Sequence, residues 1–264
     1  MKKYLTLLKY EFKTIAKDST SLFMLFYPFL MLFLMGFLVP SILEKTADSN
    51  ASVIVLQLLV GLSLSLGAYM AGALIAFSII ENKDDQTILN LSVTPLSLKG
   101  YLAFKMIYGF VFSIIGNFII IGGLKLIASD KFVITVGTDV IRLLDNLTWI
   151  KIIIFTLVMS LAVPVVALLF SSFAKNKIEG FTFMKGGGIL IILPVLTIFE
   201  FFQGAKQYLL GIFPNFWPIK AMLNISMQST DQTNLNYYLY MLIGGVFLSL
   251  LSFVMFKVFI KKNQ

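Results

Sequence analysis

Histidine and cysteine are both missing from this chain. That removes the commonest general base and the commonest metal ligand, and with them disulfides and thiolate metal sites. The remaining chemistry rests on carboxylates and lysines. Glu200 stands out because it interrupts an apolar stretch, with Gln203, Gly204, Lys206 and Gln207 close behind. Ionisable groups at membrane depth are costly and usually functional, so Glu200 is a candidate proton- or sodium-coupling group. The plainer reading puts it near the outer surface, at the bend of a hairpin. The second polar cluster is the run from Glu81 to Lys105. Asp84 and Asp85 suit the start of a short helix, Ile88, Leu89 and Leu91 give it an apolar face, and Pro95 ends it. Such a helix fits a groove on a soluble protein, or rests on a lipid surface. No P-loop, zinc motif or GxSxG is present, and Gly186-Gly187-Gly188 lacks the spacing of a phosphate loop.

The elements that must carry these residues are membrane helices. Of 264 residues, 58% are hydrophobic and 13% charged, against roughly 45–50% and about 25% in soluble domains. Mean hydropathy is +0.91, and 26 phenylalanines suit a lipid-facing surface. Residues 2–18 form a basic amphipathic helix, with Leu5, Leu8, Phe12 and Ile15 at helical spacing, that can lie in the membrane interface. Apolar runs then predict six spans, near 21–39 (ended by Pro40), 51–80, 106–123, 152–173, 186–213 and 237–256. Pro164 is placed to kink the fourth. Gly61, Gly67, Ala68, Ala71 and Gly72 allow close packing along the second. Phe132, Ile134 and Val136 suggest one short strand in the polar segment 125–146. Residues 174–185 read as a short charged loop. The fifth region is broken, and two half-helices in a re-entrant outer hairpin, closed by Pro214 and Pro218, fit it better than one straight helix.

Charge sets the orientation. With the N-terminus inside, 14 of the 21 basic residues fall on internal segments and 7 on external ones. That is the positive-inside bias for cytoplasmic termini. It also explains the net charge of +8 without nucleic acid. No repeat of the first half is visible in the second, which weighs against inverted-repeat carriers.

The polar loop also carries a resemblance. A carboxylate closing the second span (Glu81), then Thr87-Ile88, Leu91, Thr94-Pro95-Leu96-Ser97, Tyr101-Leu102 and Lys105, resembles the membrane subunit of ABC-2-type transporters. Two positions depart: Gln86 stands where glycine is frequent, and Asn90 where glutamate is frequent. The basic helix, the interrupted fifth region and Phe213-Pro214-Asn215-Phe216-Trp217-Pro218 are similar to that family as well, so the likeness covers nearly the whole chain.

The resemblance implies a single six-span domain over residues 1–264 in a bacterial cytoplasmic membrane. It implies the permease subunit of an exporter that lacks its own ATPase site. Glu81, Asp84, Asp85, Thr87, Ile88, Leu91, Thr94 and Pro95 would couple to a separate ATPase, in two copies, which binds ATP and Mg; this chain would bind no cofactor. A second permease, identical or related, would complete the pathway. Tyr69, Met70 and Phe77 of the second span, with Glu200, are the candidate pathway residues for an amphipathic or hydrophobic cargo such as a drug, an antimicrobial peptide or a lipid-linked molecule. The competing expectation is an ion-coupled secondary transporter using Glu200. A membrane-embedded enzyme is disfavoured by the missing His, Cys and paired intramembrane acids.

Overall fold

The computed structural model describes residues 2–41, 50–86, 97–136, 139–202, 204–226 and 232–263. Helix α1, Lys2–Ile15, is followed by a tight turn. Asp18 then caps α2, Ser19–Phe33, its carboxylate accepting the Ser21 N–H at 2.8 Å. The apolar helix runs on to Ser41, past Pro40, where the sequence predicted its end. A π-turn at Leu34–Leu38 explains the difference. In a regular α-helix the Pro40 ring would strike the Gly36 carbonyl, and the wider turn lies over that position.

Helix α3, Asn50–Asp84, has 35 residues. At 1.5 Å per residue it is about 52 Å long, well beyond about 30 Å of hydrocarbon. Helix α4 is Leu98–Ile127, capped by Ser97, whose hydroxyl accepts the Gly100 N–H. The segment expected to hold one strand holds two: β1, Val133–Val136, pairs antiparallel with β2, Asp139–Arg142. Helices α5, Trp149–Ser160, and α6, Ala162–Phe173, make one apolar rod broken at Leu161. Pro164 causes the break, since it has no N–H for the Ser160 carbonyl and its ring clashes there.

The fifth region differs most from expectation. Residues 177–185, read from sequence as part of a charged loop, belong to helix α7, Lys177–Gly187. Asn176 caps it by accepting the Glu179 N–H at 2.9 Å, while Glu179 accepts the Lys175 N–H at 2.8 Å. These two bonds, a close variant of a capping box, turn charged residues into a helix start. Helix α8, Ile189–Val195, follows Gly188, and 3-10 turns occupy Leu196–Ile198, Glu200–Phe202 and Gly204–Ile212. Helix α9, Phe216–Ser226, packs back against α8. Pro214 and Pro218 therefore introduce α9 rather than close the region, and Pro218 sits in its first turn, where proline is tolerated. Helix α10, Tyr237–Asn263, ends the chain's described part.

Among the described residues, five helices are long and apolar enough to cross a membrane: Ser19–Ser41, Leu58–Asp84, Leu98–Ile127, Trp149–Phe173 and Tyr237–Lys262. They correspond to five of the six expected spans, and the broken fifth region supplies no such helix. With several apolar spans, the protein is a multi-pass membrane protein. Helix α3 is its centre: 67% of its most apolar stretch is buried, against 22% for α10. It packs on α2, α4, α6 and α7. Close approach requires glycine at two points. A Cβ on Gly67 would lie 2.1 Å from Asn117 Oδ1, and one on Gly72 would lie 2.7 Å from Val166 Cβ.

Candidate functional site

The last turns of α3 meet five other elements at the end of the bundle that holds both termini. Four residues make the connections: Ser78 and Asn82, four apart, share the face toward α4, and Glu81 and Lys83 point to other neighbours. Ser78 faces α1 and α4: its hydroxyl donates to Glu11 Oε2 at 2.9 Å and accepts from Lys105 Nζ at 2.5 Å. Lys105 is also ion-paired with Glu11 Oε1, and both side chains are fully buried (0% and 1% exposed). Glu81 faces α7, pairing with Lys177 Nζ at 2.7 Å. Asn82 donates to the Tyr101 hydroxyl of α4 at 2.5 Å. Lys83 donates to the Ser171 and Ala174 carbonyls at 2.6 and 3.4 Å and lies 5.2 Å from the Phe259 ring of α10.

The electrostatics suit these roles. The Lys83 ammonium sits on the last carbonyls of α6, where the helix dipole is negative. The Glu81 carboxylate, by hydrogen bonding and charge, holds the Lys177 ammonium above the usual lysine range. A buried ion pair such as Glu11–Lys105 tolerates little movement, because separating its partners strands a charge away from water. The buried bonds therefore make α1, α3 and α4 one mechanical unit, to which Lys83 joins α6 and the partly exposed Glu81–Lys177 pair joins α7, with α10 touching it.

Of the residues singled out in the sequence, Glu81, Asp84 and Asp85 lie at this end of α3; Asp84 is its last residue and Asp85 follows in a turn. Thr87, Ile88, Leu91, Thr94 and Pro95 lie outside the described residues. Gln86 has a left-handed backbone, φ 56°, at the position where the resembled family often has glycine.

The expected pathway residues sit nearer the middle. Tyr69 and Phe77 face α7. Tyr69 donates to the Met184 carbonyl and meets the Phe170 ring edge-on, and the Phe77 ring is 4.6 Å from that of Phe181. Met70 points to a neighbouring cluster with Leu74 and Met24. The structure thus brings Tyr69 and Phe77 to one seam with α7. Glu200 lies elsewhere, in a 3-10 turn. That turn follows Val195, which packs on Gly61, about two turns along α3 from Tyr69.

Glu11, Ser78 and Lys177 complete the network and were not picked out by sequence reasoning, whereas Tyr101 and Lys105 entered only through the resemblance. Glu11 had a readable signal. It is the one acid between Lys2 and Lys17, three residues after Leu8 and four before Ile15, so it lies on the face that packs. No local pattern distinguishes Ser78 or Lys177.

A family model described as "Fluoroquinolones export permease protein Rv2686c-like" matches the chain over residues 11–138 and 131–256. The curated proteins contain no match to it. The two matched stretches together take in every residue of the network except Phe259.

Proposed function

The chain belongs to this family of export permeases, and from that premise we propose that it is the membrane subunit of an ATP-driven exporter, worked by a separate ATPase through the segment joining α3 and α4. The observation that carries the proposal is the four-way junction at Ser78, Glu81, Asn82 and Lys83. Both ends of residues 85–97 emerge from it. Force applied there is delivered at once to α1, α4, α6 and α7.

In this reading the junction end faces the cytoplasm, and two copies of an ATPase bind residues 84–95. ATP and Mg are held by those subunits. Asp84, Asp85, Thr87, Ile88, Leu91, Thr94 and Pro95 supply the contact, while the Glu81–Lys177 pair is the exchangeable link between the moving end of α3 and α7. A second permease, identical or related, completes the pathway. ATP can drive the change only by the difference in ATPase affinity between the two states of the permease.

The seam between α3 and the broken fifth region is where we place cargo contact. Tyr69, Phe77, Phe181 and Met184 offer aromatic and sulfur surface, which adapts to varied apolar shapes. Met70 borders that surface, and Glu200 lies at the outer turn where the fifth region folds back as a re-entrant hairpin. The family name points to drug-like aromatic cargo, and the charge-poor spans agree with an amphipathic or hydrophobic molecule. The test is co-purification with the candidate ATPase in a membrane-like environment, comparing wild type with Leu91→Asp. Loss of the complex from a folded mutant supports the assignment. If wild type binds no ATPase, the ATP-driven reading fails, and transport should be sought under an ion gradient with Glu200→Gln.

A further inference from the structure

We propose that α1 and the turn after it are a binding surface for anionic phospholipid headgroups, with Leu5 and Phe12 set in the lipid interface and Lys9, Lys13 and Lys17 taking the phosphates. Three observations converge. First, one face of α1 is fixed to the bundle by Glu11 and Ile15, which are 1% and 3% exposed. About a quarter-turn round the helix, at 100° per residue, Leu5 and Phe12 are 60% and 50% exposed. Second, Lys9 and Lys13 are exposed just beyond that apolar flank, and Lys17 is exposed in the turn after the helix. This is the order needed for an apolar edge in the acyl boundary with lysines reaching the headgroups. Third, the charge is one-sided. The sole acid between Lys2 and Lys17 is Glu11, and Lys105 occupies it in the interior. Every charge that α1 shows to its surroundings is positive.

Position favours a lipid partner over an acidic protein. A turn of three residues joins α1 to α2 at Ser19, so α1 is held where the first apolar helix enters the membrane. The surface lies apart from residues 84–95, and this proposal does not depend on the ATP-driven reading.

The test uses the full chain in neutral detergent, without any ATPase. Leu5→Trp provides a reporter, with the signal of the parent protein, from Trp149 and Trp217, subtracted. Brominated phosphatidylglycerol and brominated phosphatidylcholine are titrated in turn. The expected result is quenching at a much lower concentration of the anionic lipid. Lys9→Gln/Lys13→Gln/Lys17→Gln should raise that midpoint about a hundredfold, from about fivefold per lysine, with an unchanged melting temperature because these side chains face outward. Equal quenching by both lipids, or an unchanged midpoint in the triple variant, would overturn the proposal.

Discussion

Lys105 and Glu11 illustrate how unequal the two ways of removing an ion pair are. Lys105→Met leaves the Glu11 carboxylate buried with the Ser78 hydroxyl as its hydrogen-bond donor and no opposing charge in place of the lysine. Stranding a buried charge costs about 3–5 kcal/mol, so this variant should melt far below wild type in detergent. Glu11→Leu/Lys105→Met removes both charges and should recover most of the loss. If the double variant melts no higher than the single one, the pair is not the source of the effect. Gln86 predicts a change of the opposite sign. Its φ of 56° is costly for a side chain with a Cβ. Glycine relieves about 1–2 kcal/mol of that cost and gives back about 0.5–1 in unfolded-chain entropy. Gln86→Gly should therefore raise the melting temperature by an amount equivalent to about 0.5–1 kcal/mol. A lower one would mean that the Gln86 side chain makes a compensating contact.

At the level of elements, the start of α2 is fixed by Asp18, whose carboxylate accepts from Ser21. That bonding, led by the Ser21 side chain, holds the carboxyl below its usual range. A lowered folded-state pKa gives stability that is complete above the unfolded value of about 3.9 and is lost as pH falls through the folded value. Asp18→Ala should thus cost about 1 kcal/mol at pH 7, and the melting curves of mutant and wild type should converge in acid. A gap that persists at low pH would assign the effect to packing instead. The elements also show what a sequence makes legible. Long uncharged runs such as Trp149–Phe173 and Tyr237–Lys262 were readable because lipid demands length and apolarity. Helix α7 was not, because its residues are charged and its start depends on Asn176 accepting the Glu179 N–H while Glu179 accepts the Lys175 N–H. The extension of α2 past Pro40 was hidden for a similar reason, since a π-turn is an adjustment of the backbone with no residue code. At the junction, Glu81 was legible as the carboxylate closing the second span, but Asp84 and Asp85, expected to start a separate short helix, instead end α3 and enter the turn after it. The partners at the junction were not legible, because Glu11 and Lys177 lie 94 and 96 residues from the groups they bind.

For the whole molecule, the question is which elements must separate for cargo to pass. Helix α3 is the most enclosed span and is joined to the fifth region by contacts of two kinds. Near the junction, Glu81 and Lys177 form a half-exposed ion pair, which water can replace at small cost. Further in, Phe77 on Phe181 and Tyr69 on the Met184 carbonyl make a seam with little polar content. Lipid-like or aromatic cargo can substitute for such contacts without leaving a polar group unpaired, except at the Tyr69 hydroxyl. The Glu11–Lys105 pair cannot be exchanged so cheaply, so α1, α3 and α4 should move together while α7 moves against them. The absence of native cysteine makes this directly testable. Phe77→Cys/Phe181→Cys, joined by a short thiol cross-linker, should tie α3 to α7 where their rings are 4.6 Å apart. We expect cross-linking to abolish cargo export by the reconstituted complex and cleavage of the linker to restore it, with ATPase binding retained throughout. Export by the fully cross-linked protein would place the pathway elsewhere and leave this seam as a fixed part of the core.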